Sequence, residues 1–160
     1  MQCRILNTLS LTSTVSLAIL AAGVFALSAP AKAGAAETMS INVIEHATTD
    51  AVTDTGTQGD SAGDLLTFAN EVFDEKDAQK VGSDTGWCIR TVAGKSWECF
   101  WTLSLADGQI TVAGPFLDSG DSVLAVTGGT GKYAGFRGEM ALHARDAKGS
   151  AYDFKYSLMK

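Results

Sequence analysis

The sequence predicts an all-β domain of eight short antiparallel strands, closed as a barrel or stacked as a sandwich. Two observations carry this. Apolar and polar residues alternate through most of the second half of the chain. "SWECFWTLSL" puts Trp97, Cys99, Trp101, Leu103 and Leu105 on one face, and "AYDFKYSLMK" does the same with Tyr152, Phe154, Tyr156 and Leu158. Turn signals separate such runs at short intervals, as at Ala93-Gly94 and Asp107-Gly108. Periodicity does not choose between barrel and sandwich. The choice matters for function, because an eight-stranded barrel can enclose one small ligand.

The first 33 residues contain no acid, an apolar run from Val15 to Leu27 and the small-residue pattern Ala31-Lys32-Ala33. This is the pattern of a secretory signal peptide removed after Ala33, with an uncleaved anchor as the alternative. Cys3 would leave with it. Export implies a secreted or periplasmic protein that is free of the membrane after cleavage. Residues 34–63 comprise the first strand, 41–47, and a polar loop, "TTDAVTDTGTQGDSAG" over 48–63, whose lack of large apolar side chains reads as mobility. The remainder of the same domain, residues 64–160, carries strands at 64–73, 85–92, 96–106, 109–115, 122–127, 137–146 and 150–159. Removing the leader leaves 127 of the 160 residues, enough for one domain with one core.

Cleavage removes Arg4 and Lys32 but none of the 18 acids, so the net charge moves from −6 to −8. Such a surface repels phosphates, which argues against nucleic acid as a partner. The stretch "AVTGGTGKYAGFRGEM", Ala125 to Met140, looks at first like a phosphate cradle. A P-loop, however, needs glycine five residues before Gly131-Lys132, where Val126 stands, and Ser or Thr after Lys132, where Tyr133 stands. A dinucleotide fingerprint drawn from Gly129, Gly131 and Ala134 needs a long following helix, and Gly135 and Gly138 arrive too soon for one.

Cys88 and Cys99 flank "IRTVAGKSWE". With Ala93-Gly94 at a hairpin tip, Val92 faces Lys95, Arg90 faces Trp97 and Cys88 faces Cys99, close enough for a disulfide in an oxidising compartment. The alternative is a pair of buried free thiols. No metal is expected, since His46 and His143 fit no ligand spacing. In "INVIEHA", Ile41, Val43, Glu45 and Ala47 share a face, so a carboxylate interrupts an apolar row. Either the strand is an edge that turns Glu45 to water, or Glu45 is an acid inside a cavity, with a raised pKa or a role in steering positive charge.

From Gly63 onward the chain resembles the allene oxide cyclases, small barrels that close a fatty-acid allene oxide into a cyclopentenone. The blocks "GDLLTFANEVFD", "VGSDTGWCIRTV", "DGQITVAGPF" and "LAVTGGTGKYAGFRGEMALH" carry the resemblance. The last is similar to that family's Gly-rich turn between two barrel strands, shared in looser form with the dirigent proteins, so its glycines serve backbone geometry. The resemblance implies an eight-stranded antiparallel β-barrel, calycin-like in outline, with a hydrophobic cavity, an isomerase-type cyclase activity without cofactors, and a homotrimer. It places the family's strand-one glutamate, the candidate catalytic residue, at Glu45, and substrate-binding cavity positions at Leu66, Phe68, Cys88 and Phe116. Four features depart from the family. Ala47 stands where it has an asparagine, Phe116 where it has a tyrosine and Cys99 where it has no cysteine, and a proline of the first segment has no counterpart.

Two functions follow. In the first, an exported cyclase folds a reactive hydrophobic molecule, fatty-acid-like or polyene, into one conformer. Glu45 then stands as a carboxylate opposite the developing positive charge, and Phe68 and Phe116 offer aromatic faces. In the second, a dirigent-like module binds or orients a hydrophobic ligand without catalysis. Trp97, Trp101, Phe154 and the tyrosines read as packing.

Overall fold

A computed structural model describes residues 35–160; the leader segment lies outside the described residues. Nine strands run antiparallel: β1 (Thr38–His46), β2 (Ala51–Thr53), β3 (Leu65–Asp74), β4 (Lys80–Val92), β5 (Ser96–Leu105), β6 (Gly108–Leu117), β7 (Ser122–Gly129), β8 (Arg137–Ala144) and β9 (Ala151–Met159). Consecutive strands from β3 to β9 pair in order, β9 pairs with β1, and β1 closes the ring on β3 over Val43–His46 and Glu71–Asp74. Eight strands therefore form a closed barrel, and β2 adds a short flap to the other end of β3 through Val52 opposite Leu66. Closure excludes the sandwich.

The eight expected strands are all present, with one informative difference. β4 begins at Lys80 rather than near Thr85. Gly82, Ser83 and Asp84 are weak strand formers taken alone, but they lie between β3 and β5, paired with Val72 and Leu105, Glu71 and Ser104, and Asn70 and Leu103. Pairing on both sides overrides local propensity.

The polar stretch 48–63 carries β2 and is tied down by side chains. Asp64 accepts hydrogen bonds from the Thr55 and Ser61 amides at 3.1 and 2.8 Å, and Arg90 reaches Asp60 at 2.6 Å and Asp118 at 2.6 Å while stacking over Trp97. These contacts cap one end of the lumen.

The Gly-rich stretch ends β7, makes one 3₁₀ turn (Gly131–Tyr133) and leads into β8. Gly131, at φ 57°, packs onto the Asp107-Gly108 hairpin, where Lys132 N donates to Asp107 O at 2.9 Å. Gly138, at φ 147°, crosses β9 so closely that a Cβ would strike the Ser157 carbonyl. Both positions demand glycine for backbone reasons. Inside the barrel the alternating runs meet as one core, in which Val72, Leu103, Val112, Leu124, Met140 and Tyr156 are fully covered.

The hairpin register holds at Arg90–Trp97 and at Cys88–Cys99, whose Cα atoms lie 4.0 Å apart and whose sulfurs are joined as a disulfide; nearer the tip an irregularity between Arg90 and Val92 sets Val92 opposite Ser96 rather than the expected Lys95. The bond closes a short loop, and loop-closure entropy assigns it about 3 kcal/mol. In a chain lacking residues 1–33, these are the only cysteines. Unreduced protein should offer no alkylatable thiol, and Cys88→Ser with Cys99→Ser should unfold at lower denaturant by about that free energy. Two reactive thiols in the unreduced protein would reject the bond.

Candidate functional site

Period-two geometry decides which side chains share the lumen. On β1 the inward row is Ile41, Val43 and Glu45; on β3 it is Leu66, Phe68, Asn70 and Val72; on β4, Asp84, Gly86 and Cys88; on β5, Cys99, Trp101 and Leu103; on β9, Tyr152, Phe154 and Tyr156. Between these rows lies a narrow cavity of about 60 Å³, bounded by Glu45, Leu66, Phe68, the Cys88–Cys99 disulfide, Trp101, Phe116, Leu142, Tyr152 and Phe154, with Asp50 alongside. All five residues expected to bind or act on a ligand thus border one space. Cys88 borders it as half of a disulfide, so its cavity position and its bonded state coexist.

Glu45 is only 5% exposed. Its carboxylate Oε1 accepts a 2.6 Å hydrogen bond from Asn70 Nδ2, which also donates to Asp50 Oδ1 at 2.8 Å. The Asn70 amide cannot turn over. Its Oδ1 accepts from Thr48 N at 3.1 Å, Thr49 N at 3.0 Å and Thr49 Oγ1 at 2.8 Å, so both N–H donors are committed to the carboxylates. Burial pushes the Glu45 carboxyl up to about 7, against the lowering effect of the Asn70 bond.

Beside Glu45 stands Asp84, fully buried and paired across the β3–β4 ladder with Asn70, the residue that hydrogen-bonds Glu45. Burial, then the charge of Glu45, push Asp84 up to about 9. Neither Asp84 oxygen receives a hydrogen bond from another residue. Tyr156, whose phenol burial also pushes up, and Trp101 complete the buried polar group; the Tyr156 hydroxyl and Trp101 Nε1 lie near each other without completing a hydrogen bond.

The cavity wall is aromatic on two sides. Phe68 meets Trp101 edge-on at 6.0 Å, Trp101 stacks on Phe154 at 5.5 Å, and Phe116 meets Tyr152 edge-on at 5.9 Å. Burial and then Glu45 raise the Tyr152 phenol to about 12, so it stays protonated as a hydroxyl. The hydroxyl absent from Phe116 is thus present on its neighbour.

The whole chain can now be compared with known proteins. Residues 31–155 match the family model described as allene oxide cyclase. The chain belongs to the allene oxide cyclase family. Among solved structures it is similar to a pyocyanin demethylase, at 23% identity and a TM-score of 0.66 over 75% of this chain and 99% of that one. It is similar to AbnU, an exo-specific intermolecular Diels-Alderase, at 14% identity and TM-score 0.66 over 79% and 100%. A third is the pterocarpan synthase dirigent protein GePTS1, at 12% identity and TM-score 0.61 over 78% and 84%. At these identities the likeness is one of fold. The allene oxide cyclase barrel thus recurs among proteins described as Diels-Alderases and dirigent proteins.

Several residues of the site were not anticipated as functional, Asn70 among them. Trp101, Tyr152 and Phe154 were read as packing, yet they border the cavity; Trp97, read the same way, instead supports Arg90. Asp84 lay before the expected start of its strand. The alternation Asp84, Gly86, Cys88 places it on the lumen face as soon as β4 is extended by one residue.

The raised carboxyls set a pH dependence. Above the ordinary carboxyl range the unfolded chain has released these protons while the folded chain keeps them, so stability is full below that range and falls as pH rises through the folded values. Asp64, Asp74 and Asp146 are shifted down by backbone and hydroxyl hydrogen bonds, and their contribution is lost only in more acidic solution. Unfolding free energy should therefore peak near pH 5 and decline toward pH 9, with a slope of at most about 1.4 kcal/mol per pH unit for each proton held. Asp84→Asn should flatten the decline. A wild-type stability that is level or rising from pH 5 to pH 9 would contradict the assignment.

Proposed function

We propose that this allene oxide cyclase-family barrel is an exported isomerase-type cyclase, which takes a reactive, hydrophobic, fatty-acid-like or polyene molecule into its lumen and closes it stereoselectively. The observation that carries this is the convergence of one ionisable carboxyl, Glu45, with Leu66, Phe68, Cys88 and Phe116 on a single narrow cavity. A nearly spontaneous ring closure asks a protein to hold one conformer and exclude water, and a closed barrel with rigid aromatic walls does both. Phe68 and Phe116 can stabilise a passing positive centre by roughly 0.5–2 kcal/mol each. The disulfide accords with an oxidising compartment, and no helix among the described residues is long and apolar enough to cross a membrane.

A dirigent-like role, orienting a ligand without chemistry, is the second reading. Its support is that Ala47 carries no amide, so the lumen has fewer polar groups on the first strand than an allene oxide cyclase of the plant type.

Chiral analysis of the cyclopentenone formed from a freshly generated allene oxide separates the two. Glu45→Gln keeps the shape and the Asn70 hydrogen bond while removing the titratable carboxyl. It should bind the same ligand and lose about 10²-fold in rate together with its enantiomeric bias. If the variant and wild type give the same biased product, Glu45 has no catalytic role and the dirigent reading stands. Racemic product from both, matching the protein-free reaction, would remove the cyclase assignment for this substrate.

The trimer implied by the family would need an apolar outer face, and β4 and β5 offer one in Trp87, Ile89 and Phe100, each more than a third exposed, with Trp87 and Phe100 ring centres 6.2 Å apart. Sedimentation should give three chains per particle, reduced to one by Trp87→Glu; a wild-type monomer at micromolar concentration would overturn it.

A further inference from the structure

We propose that Glu45 and Asp84 share a single proton in the ligand-free protein, with Asp84 as the positioning residue that keeps Glu45 a hydrogen-bond donor to the ligand rather than a fixed negative charge. This rests on the cyclase reading for its use but not for its test. It also names a ligand class: a neutral conjugated molecule with an oxygen or nitrogen acceptor at the cavity end that meets Glu45, with any carboxylate of its own kept outside.

Three observations converge. First, Asp84 is fully buried and no donor from another residue reaches either of its oxygens. An ionised carboxylate in that state would carry an uncompensated buried charge, which is among the most costly arrangements in a protein interior. Second, the donor that faces Asp84 across the β3–β4 ladder, the Asn70 amide, is exhausted: one N–H goes to Glu45, the other to Asp50, and three donors on Oδ1 prevent it from turning. Third, Asn70, the cross-strand partner of Asp84, holds the Glu45 carboxyl at 2.6 Å and so sets it beside Asp84, and Glu45 is itself only an acceptor when ionised. Two carboxylates cannot hydrogen-bond to one another; a carboxylic acid and a carboxylate can. One proton between them satisfies both groups at once.

The cations nearby are bonded to other acids. Around the pair stand Asp50 from the following loop, Asn70 from β3, Trp101 from β5, and Tyr152 and Tyr156 from β9. His46, next to Glu45 in sequence, is hydrogen-bonded to Asp77 at 2.8 Å, and Arg90 is committed to Asp60 and Asp118. Trp101 Nε1 and the Tyr156 hydroxyl are buried without acceptors, so this end of the lumen holds more polar groups than its own packing uses. Trp101 also borders the cavity. The negative groups at this end, Glu45 and Asp50, disfavour an anionic ligand there.

The consequence for chemistry is a change of sign. A shared proton lets Glu45 polarise a carbonyl or epoxide oxygen by donating a hydrogen bond. No proton need leave the pair, so the arrangement serves a cycloaddition as readily as a ring opening.

Infrared spectroscopy tests the proton directly on the ligand-free chain, through the carbonyl stretch of a protonated carboxylic acid, identified by aspartate and glutamate isotope labelling. At pH 7 wild type should show one protonated buried carboxyl per chain, lost as pH rises past 9. In Asp84→Asn, where Glu45 gains an amide neighbour, the band should be absent at pH 7. In Glu45→Gln the remaining acid should still titrate above the ordinary carboxyl range. No protonated carboxyl in wild type at pH 7 would overturn the proposal, whether or not either variant folds. So would a band that persists unchanged in folded Asp84→Asn. A clear band with racemic product would instead sink the cyclase reading alone.

Discussion

The pairing of β1 with β3 is the contact on which the rest depends. Without it the sheet is an open ribbon; with it the ribbon becomes a barrel and acquires an inside. The same short ladder sets Glu45 opposite Val72, hence beside Asn70 on the lumen face, and a one-residue slip would turn every inward side chain of β1 outward. Closing the sheet and placing the carboxyl are therefore one event. The position of Glu45, interrupting an apolar row, is tolerated because Asn70 meets it with a hydrogen bond at the point of closure.

Asn70 also binds the site to the segment that follows β1. Its amide oxygen gathers Thr48 and Thr49 while its nitrogen holds Glu45 and Asp50, so a stretch with almost no apolar side chains is ordered by polar contacts instead. Hydrogen bonds to charged groups typically contribute about 1.5–3 kcal/mol each, comparable to burying a large apolar side chain. The far end of the lumen uses the same device, with Arg90 between Asp60 and Asp118 on the face of Trp97. A polar clamp near each end and an aromatic wall between them bound a narrow cavity of about 60 Å³.

Much of this was legible in the sequence. Alternation gave the strands, turn residues gave the hairpins, and the Ala93-Gly94 tip gave the Cys88–Cys99 register to the residue. Glu45 was visible as an anomaly before any resemblance was considered. What stayed hidden has a common cause. Asp84 sits in Gly82-Ser83-Asp84, where local propensity argues against a strand and only pairing on both sides makes one. Trp101 and Tyr152 look alike whether they fill a core or line a cavity, because the period that points them inward does not report how much room remains. The surroundings of Glu45 were unreadable for the same reason: they depend on Asn70 and Asp84, which lie on the two strands beyond its own.

On the proposed reading, the lumen is a ligand site organised around Glu45. A high-resolution crystal structure of the protein isolated from its own host, with native mass spectrometry of the same sample, tests it most directly. A retained small molecule should lie between Phe68 and Phe116, with an acceptor atom at hydrogen-bond distance from the Glu45 carboxyl. A lumen filled only by its own side chains, with Glu45 turned to solvent, would contradict it.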